Sequence, residues 1–217
     1  MGRIFSALAV IGLACVPFTA LCATYSVGPG ETRKAVSDVA ALLEPGDIVE
    51  VTGDITESIL LTRHGTPEAP ITIRGVKSTA NDKTMRPRIR FPEGYEFAIM
   101  CRGNWNVIEG FDIAGANSSE WDQSAALWQD CDNLVIRDCF FHHNTKAIGT
   151  TRTAGSILIE FCEFDSNGSP PTRHTVDIWS CESELAKATV QYCFFHDATY
   201  GALLKSHCTR NVVRYNW

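Results

Sequence analysis

Lys205 is the side chain whose type and setting best suit chemistry. It lies late in the segment ALLKS (202–206), and two further cations, Arg210 and Arg214, follow closely. A lysine serves as a general base when burial or neighbouring cations bring its pKa toward the working pH. Arg210 is its candidate catalytic partner. The same lysine also reads as a solvated side chain on an exposed sheet. Upstream, HTVDIW (174–179) gathers three groups that could hold a ligand. The indole of Trp179 can stack on the apolar face of a sugar ring, or lie under a long loop. Asp177 could orient a hydroxyl or contribute to a Ca²⁺ site, but Ca²⁺ takes several oxygens and one carboxylate is not a site. His174 opens the segment. Arg152, in the turn after AIGTT (147–151), offers a guanidinium to carboxylates. No two cysteines are spaced as CxxC, so zinc has little support. Nothing sets out the paired carboxylates that glycoside hydrolysis needs.

The elements that must position these residues come from a repeat. VIEGFDI (107–113), VIRDCFF (135–141), LIEFCEF (158–164), TVQYCFF (189–195) and VVRYNW (212–217) share one pattern. Aligning Ile108, Ile136, Ile159, Val190 and Val213 gives spacings of 28, 23, 31 and 23 residues. A period of this size marks a solenoid, in which each unit buries its apolar face by stacking on the next. Apolar and polar residues alternate within each unit, as strands require. The alignment puts Phe111, Cys139, Cys162, Cys193 and Asn216 in one column, so these cysteines read as interior packing in place of disulfides or metal ligands. A second strand precedes each unit at 125–129, 147–151, 175–179 and 202–206. With Ala126, Ile148, Val176 and Ala202 inward, Trp128, Thr150, Ile178 and Leu204 are inward too. Leu127, Gln129, Gly149, Thr151, Asp177, Trp179, Leu203 and Lys205 then face solvent.

The chain opens as an export signal. Arg3 precedes an apolar run from Ile4 to Val16, and small residues lie around Ala20 to Ala23, the expected cleavage region. That run is too short for a membrane span. Residues 1–23 are expected to be the signal and 24–217 one domain, secreted or periplasmic. Thr32 to Leu43 has the spacing of a short amphipathic helix ended by Pro45-Gly46, placed to lid one end of the stack. The other end stops within a rung, so further coils are expected to be missing, with self-association through the open coil. The formal charge of −6 disfavours a nucleic-acid partner. Any anionic ligand must be met by a local cluster of cations.

YSVGPGETRKAVSDVAALLEPGDIVEV, GTPEAPITIRG (65–75) and the later HTVDIWSCESELAKATVQYCFFHDATYGALLKSHCTRNVVRYN (174–216) resemble the pectin-lyase-like superfamily of right-handed parallel β-helix proteins, nearest in motif to its alginate and chondroitin lyases. The resemblance covers nearly all of the chain after the signal. It implies an all-β solenoid and a polysaccharide partner. It also implies that Lys205 matches the lysine of the relatives' Lys-Ser pair, the base in β-elimination from a uronic-acid polymer. The superfamily also holds hydrolases, epimerases and non-catalytic adhesins, so a carbohydrate-binding or surface-structural protein stands beside the lyase reading.

Overall fold

The computed structural model describes residues 22–80, 83–90, 92, 94–116, 124–170, 173–180, 182 and 184–217. The expected signal (Arg3, Ile4–Val16, Ala20) and Cys181 lie outside the described residues. Among the described residues no helix is long and apolar enough to cross a membrane.

Short strands rich in Ile, Val and Leu coil through three parallel sheets, here named A, B and C, with eight, six and six strands. One coil runs Ala125–Gln129 in sheet C, Leu134–Arg137 in sheet A and Phe140–His142 in sheet B. The next runs Ile148–Thr150, Ile157–Glu160 and Glu163–Asp165, and a third Val176–Ile178, Lys187–Gln191 and Phe194–His196. Leu204–Ser206 and Arg210–Arg214 follow. Each strand of these three sheets therefore pairs with the equivalent strand one coil away, and Ser78–Ala80 with Lys83–Met85 forms a separate antiparallel pair.

The expected alignment holds residue for residue in sheet A: Ile108 faces Ile136, Ile136 faces Ile159, Ile159 faces Val190 and Val190 faces Val213. The first four of these side chains are buried. Sheet B contributes Ile113, Phe141, Phe164 and Phe195 to the interior, the last three rings stacked nearly parallel at 5.3 and 4.6 Å. Sheet C contributes Ile99, Leu127, Ile148, Val176 and Leu204. Each fully buried side chain of this size is worth about 1.5–3 kcal/mol. One coil supplies only a few, so the stack is the stable unit. Cys139, Cys162 and Cys193 are buried free thiols in one ladder with Phe111, as the alignment requires. Burial, with the neighbouring Cys139 and Cys193 thiols, holds Cys162 well above the ordinary thiol range. At the foot of that ladder Asn216 Oδ1 accepts from the Cys193 amide.

The step from sheet A to sheet B is made by one left-handed residue per coil: Gly110, Asp138, Phe161, Tyr192 and Tyr215. That conformation costs a non-glycine residue roughly 1–2 kcal/mol. The rings of Phe161, Tyr192 and Tyr215 stack at 5.1 Å from coil to coil, and such contacts return about 0.5–1.5 kcal/mol each.

The expected N-terminal helix is not formed. Segment 32–43 holds a single 3-10 turn, Val36–Asp38. Its apolar spacing does bury Val36, Val39 and Leu43 in the core. The backbone amides, however, are taken by carboxylates: Glu57 accepts from Val36 and Ser37, and Asp38 accepts from Lys34 and Ala35. These bonds satisfy the amides at the start of the turn, which a helix leaves without partners, and the turn ends where Val39 leaves the helical region at φ −123°.

The outer face of sheet A carries a charge ladder. Register aligns Glu50, Arg74, Glu109, Arg137, Glu160, Gln191 and Arg214. Glu109 binds Arg74 and Arg137, each at 2.5 Å, and Gln191 bridges Glu160 and Arg214 at 2.8 and 2.9 Å. Burial pushes the Glu109 carboxyl up, but its bonds to Arg74 and Arg137 outweigh that and hold it below the usual range.

Candidate functional site

Sheet C presents its outward column in the order Leu60, Met100, Trp128, Gly149, Asp177 and Lys205. Asp177 and Lys205 face outward, as expected. Trp128 does not follow the expected register. Leu127, not Ala126, aligns with Ile148, so Leu127 and Gln129 point inward and Trp128 outward. Leu204, not Ala202, aligns with Val176, a two-residue shift that leaves the faces unchanged.

The missing side chain of Gly149 shapes what lies above it. A Cβ there would meet the Trp128 ring at 2.4 Å and the Lys146 chain at 3.2 Å. The indole of Trp128 therefore lies over Gly149, and Lys146 passes beside it with Nζ 5.5 Å from the indole ring. Lys146 Nζ then reaches Asp177 Oδ2 at 3.2 Å, with the two side chains only 4% and 7% exposed. One coil on, Lys205 Nζ sits 4.6 Å from the Trp179 ring, and His207 stacks on the same indole at 4.3 Å.

These groups surround an open cleft of about 490 Å³, whose lining includes Trp128, Lys146, Asp177, Trp179, Lys205 and Arg152. Glu182 lies on its rim and accepts from Arg152 Nε at 2.9 Å. The turn after Ile148–Thr150 is tied down by Thr150, whose Oγ1 accepts from the Trp179 amide at 2.8 Å. Among the described lining residues Lys146, Lys205 and Arg152 outnumber the carboxylates Asp177 and Glu182 by one, so a cleft of net positive charge sits in a chain of net negative charge.

Four of the six residues singled out from sequence thus meet in one cleft: Lys205, Trp179, Asp177 and Arg152. The other two do not line it. Arg210 follows Lys205 in sequence, but the chain has turned into sheet A by then, where Arg210 pairs with Lys187 in register. His174 Nδ1 accepts from the Ala202 amide at 2.9 Å and so secures the loop leading to Leu204–Ser206. Sequence reasoning missed Lys146 and turned Trp128 inward.

The two carboxylates of the cleft are each held by a cation, an arrangement that does not suit Ca²⁺ with its need for many oxygens. Away from the cleft, on sheet B, His196 Nδ1 lies 2.9 Å from Asp197 and 3.5 Å from Asp165, and its Nε2 lies 3.2 Å from Glu163. The bond to Asp197 raises the imidazole pKa, burial works against it, and Glu163 and Asp165 add to the rise. A second concavity, about 460 Å³, lies on sheet A and is lined by Trp105, Val135, Leu158, Lys187, Gln191 and Arg214. Gln191 and Arg214 belong to the charge ladder and bind each other.

A family model described as a right-handed β-helix region matches residues 88–217. No curated protein matches the chain. Among solved structures, an alginate lyase from Paenibacillus sp. str. FPU-7 superposes with a TM-score of 0.60 at 12% identity, covering 89% of this chain and 75% of that one. A pectin methylesterase from Aspergillus niger gives a TM-score of 0.54 at 11% identity, with the same coverage of 89% and 75%. A rhamnogalacturonan lyase gives 0.52 at 11%, covering 89% of this chain and 62% of its own. At these identities the likeness is one of fold.

Proposed function

The chain belongs to the right-handed β-helix family, and on that premise we propose that it is an extracytoplasmic protein acting on an acidic polysaccharide in the sheet C cleft, as a uronan lyase working by β-elimination. The observation that carries this reading is the meeting of Lys205, Arg152 and the indole of Trp179 in one open groove, with the buried Lys146–Asp177 pair at its floor. The cations suit a polyanion, the indole of Trp179 suits a sugar ring, and the groove is open enough for a chain to pass through. The two structural relatives that are lyases, of alginate and of rhamnogalacturonan, add support.

In this reading Lys205 Nζ takes the proton from the carbon beside the uronate carboxylate. Arg152 neutralises that carboxylate, the bond to the leaving oxygen breaks, a carbon–carbon double bond forms, and the leaving oxygen takes up a proton from water while Lys205 keeps the one it removed. Hydrolysis is less well supported, because it needs two carboxylates in distinct roles and here Asp177 and Glu182 are both bound to cations.

A second reading, binding without turnover, is favoured by the contact of Lys205 with Trp179, since an ammonium over an indole is itself a recognition geometry. The test is incubation with alginate, polygalacturonate and glycosaminoglycans, following the ultraviolet absorbance of the unsaturated uronate product. The lyase reading expects absorbance to rise with one of them and Lys205→Ala to lower the rate by about 10²–10⁴-fold with binding retained. Trp179→Ala should weaken binding by about 3- to 10-fold. Binding with no absorbance change selects the second reading.

A further inference from the structure

Asp177 is a buried carboxylate with one oxygen accounted for and one not. Oδ2 takes Lys146 at 3.2 Å, whereas Oδ1 has no hydrogen-bond partner although it is buried. A buried carboxylate oxygen without a donor is costly, and such atoms call for a partner. The two nearest cations are committed elsewhere: Lys146 to Oδ2, and Lys205, the next residue in the column, to the face of Trp179. On its other side Asp177 has Gly149, which offers no side chain. Asp177 lines the cleft, so the missing donor can come from a ligand there.

We infer that Asp177 Oδ1 is the hydroxyl acceptor of this cleft, and that the ring bound over Asp177 must present an unsubstituted hydroxyl. The inference rests on the reading of the cleft as a uronan site and narrows its substrate class to polymers not O-acetylated on that ring. Lys146 fixes the carboxylate, the flexible chain of Lys205 yields as the hydroxyl enters, and the ligand's carboxylate is left to Arg152. A hydroxyl donated to a buried carboxylate is discriminating, because an acyl group in its place supplies no donor and leaves the oxygen unpaired.

The position has a diagnostic variant. In Asp177→Asn the ammonium of Lys146 draws the amide oxygen to itself, which turns the amide NH2 toward the cleft. An acceptor becomes a donor, and the preference for a free hydroxyl should vanish. A merely structural role would weaken binding of all ligands alike.

The experiment is calorimetric titration of the intact protein with oligosaccharides of alginate, polygalacturonate and hyaluronan, each unmodified and chemically O-acetylated. The wild type should prefer the unmodified form of its ligand by about 10- to 100-fold, and Asp177→Asn should bring that ratio close to one. Should Asp177→Asn fail to fold, the double variant Lys146→Met with Asp177→Leu leaves no buried charge unpaired and should lose the preference likewise. Equal binding of both forms by the wild type, or a preference retained in the variants, overturns the assignment to Asp177 while leaving the cleft as a uronan site. Absence of binding to every oligosaccharide overturns both.

Discussion

On the outside of sheet A the column alternates in charge from Glu50 to Glu160 and closes on Arg214 after the neutral Gln191, and most of its members bind a neighbour in the column. On the outside of sheet C the equivalent column runs Met100, Trp128, Gly149, Asp177, Lys205, and its character changes at almost every step. Both faces are made by the same coils at the same spacing. On sheet A repetition lets each charge satisfy the next, and little is left over for a ligand. On sheet C the break in repetition leaves a glycine beside an indole and a carboxylate with an unused oxygen. In a solenoid a ladder satisfies itself, and a site needs it interrupted.

The contrast can be broken most severely at Lys146. Lys146→Ala leaves Asp177 as a buried, unpaired charge and should cost about 3–5 kcal/mol in chemical denaturation. A loss below about 1 kcal/mol would mean that the pair is not buried as described. On sheet A, Glu109→Gln removes two partly exposed ion pairs and should cost about 1 kcal/mol, with ligand binding in the cleft unchanged. The same variant has a pH signature. A carboxylate held below its ordinary value of 4.5 contributes stability that is fully present above that value and is lost as pH falls through the lower, folded-state value. Glu109→Gln should therefore flatten the acid limb of the stability curve.

The smallest effect is expected on sheet B, where His196 has the opposite sign. Its raised pKa makes its contribution fully present below 6.5 and lost as pH rises through the folded value. Proton NMR of the imidazole should show titration above 6.5, and Asp197→Asn should bring it back toward 6.5 without altering the cleft.

The fold was legible wherever burial is one-sided. Ile108, Ile136 and Ile159 alternate with outward polar residues, and the cysteine column follows from the same period. The strand Ala125–Gln129 is different because all five residues are buried. Alternation then carries no signal, and two adjacent alanines leave the parity open. Trp128 is outward yet covered, since Gly149 gives its indole room to lie flat against the sheet. Lys146 reads as a surface charge in a turn, because the carboxylate that buries it is 31 residues away and meets it only once the coils stack. Arg210 shows the converse: closeness in sequence to Lys205 misleads, because the turn between them changes sheets. At 32–43 the apolar spacing correctly marked what is buried, while the backbone leaves the helical region at Val39 after a single turn.

The most direct test of where function resides uses the tryptophans as reporters of the two faces. Trp128 and Trp179 line the sheet C cleft, and Trp105 lines the concavity on sheet A. Indole N–H resonances, assigned by single Trp→Phe replacements, are followed by proton–nitrogen NMR while uronan oligosaccharide is added. Saturable shifts of Trp128 and Trp179 with Trp105 unmoved are the predicted result; shifts of Trp105 with Trp128 and Trp179 unmoved would contradict the assignment of the site to sheet C.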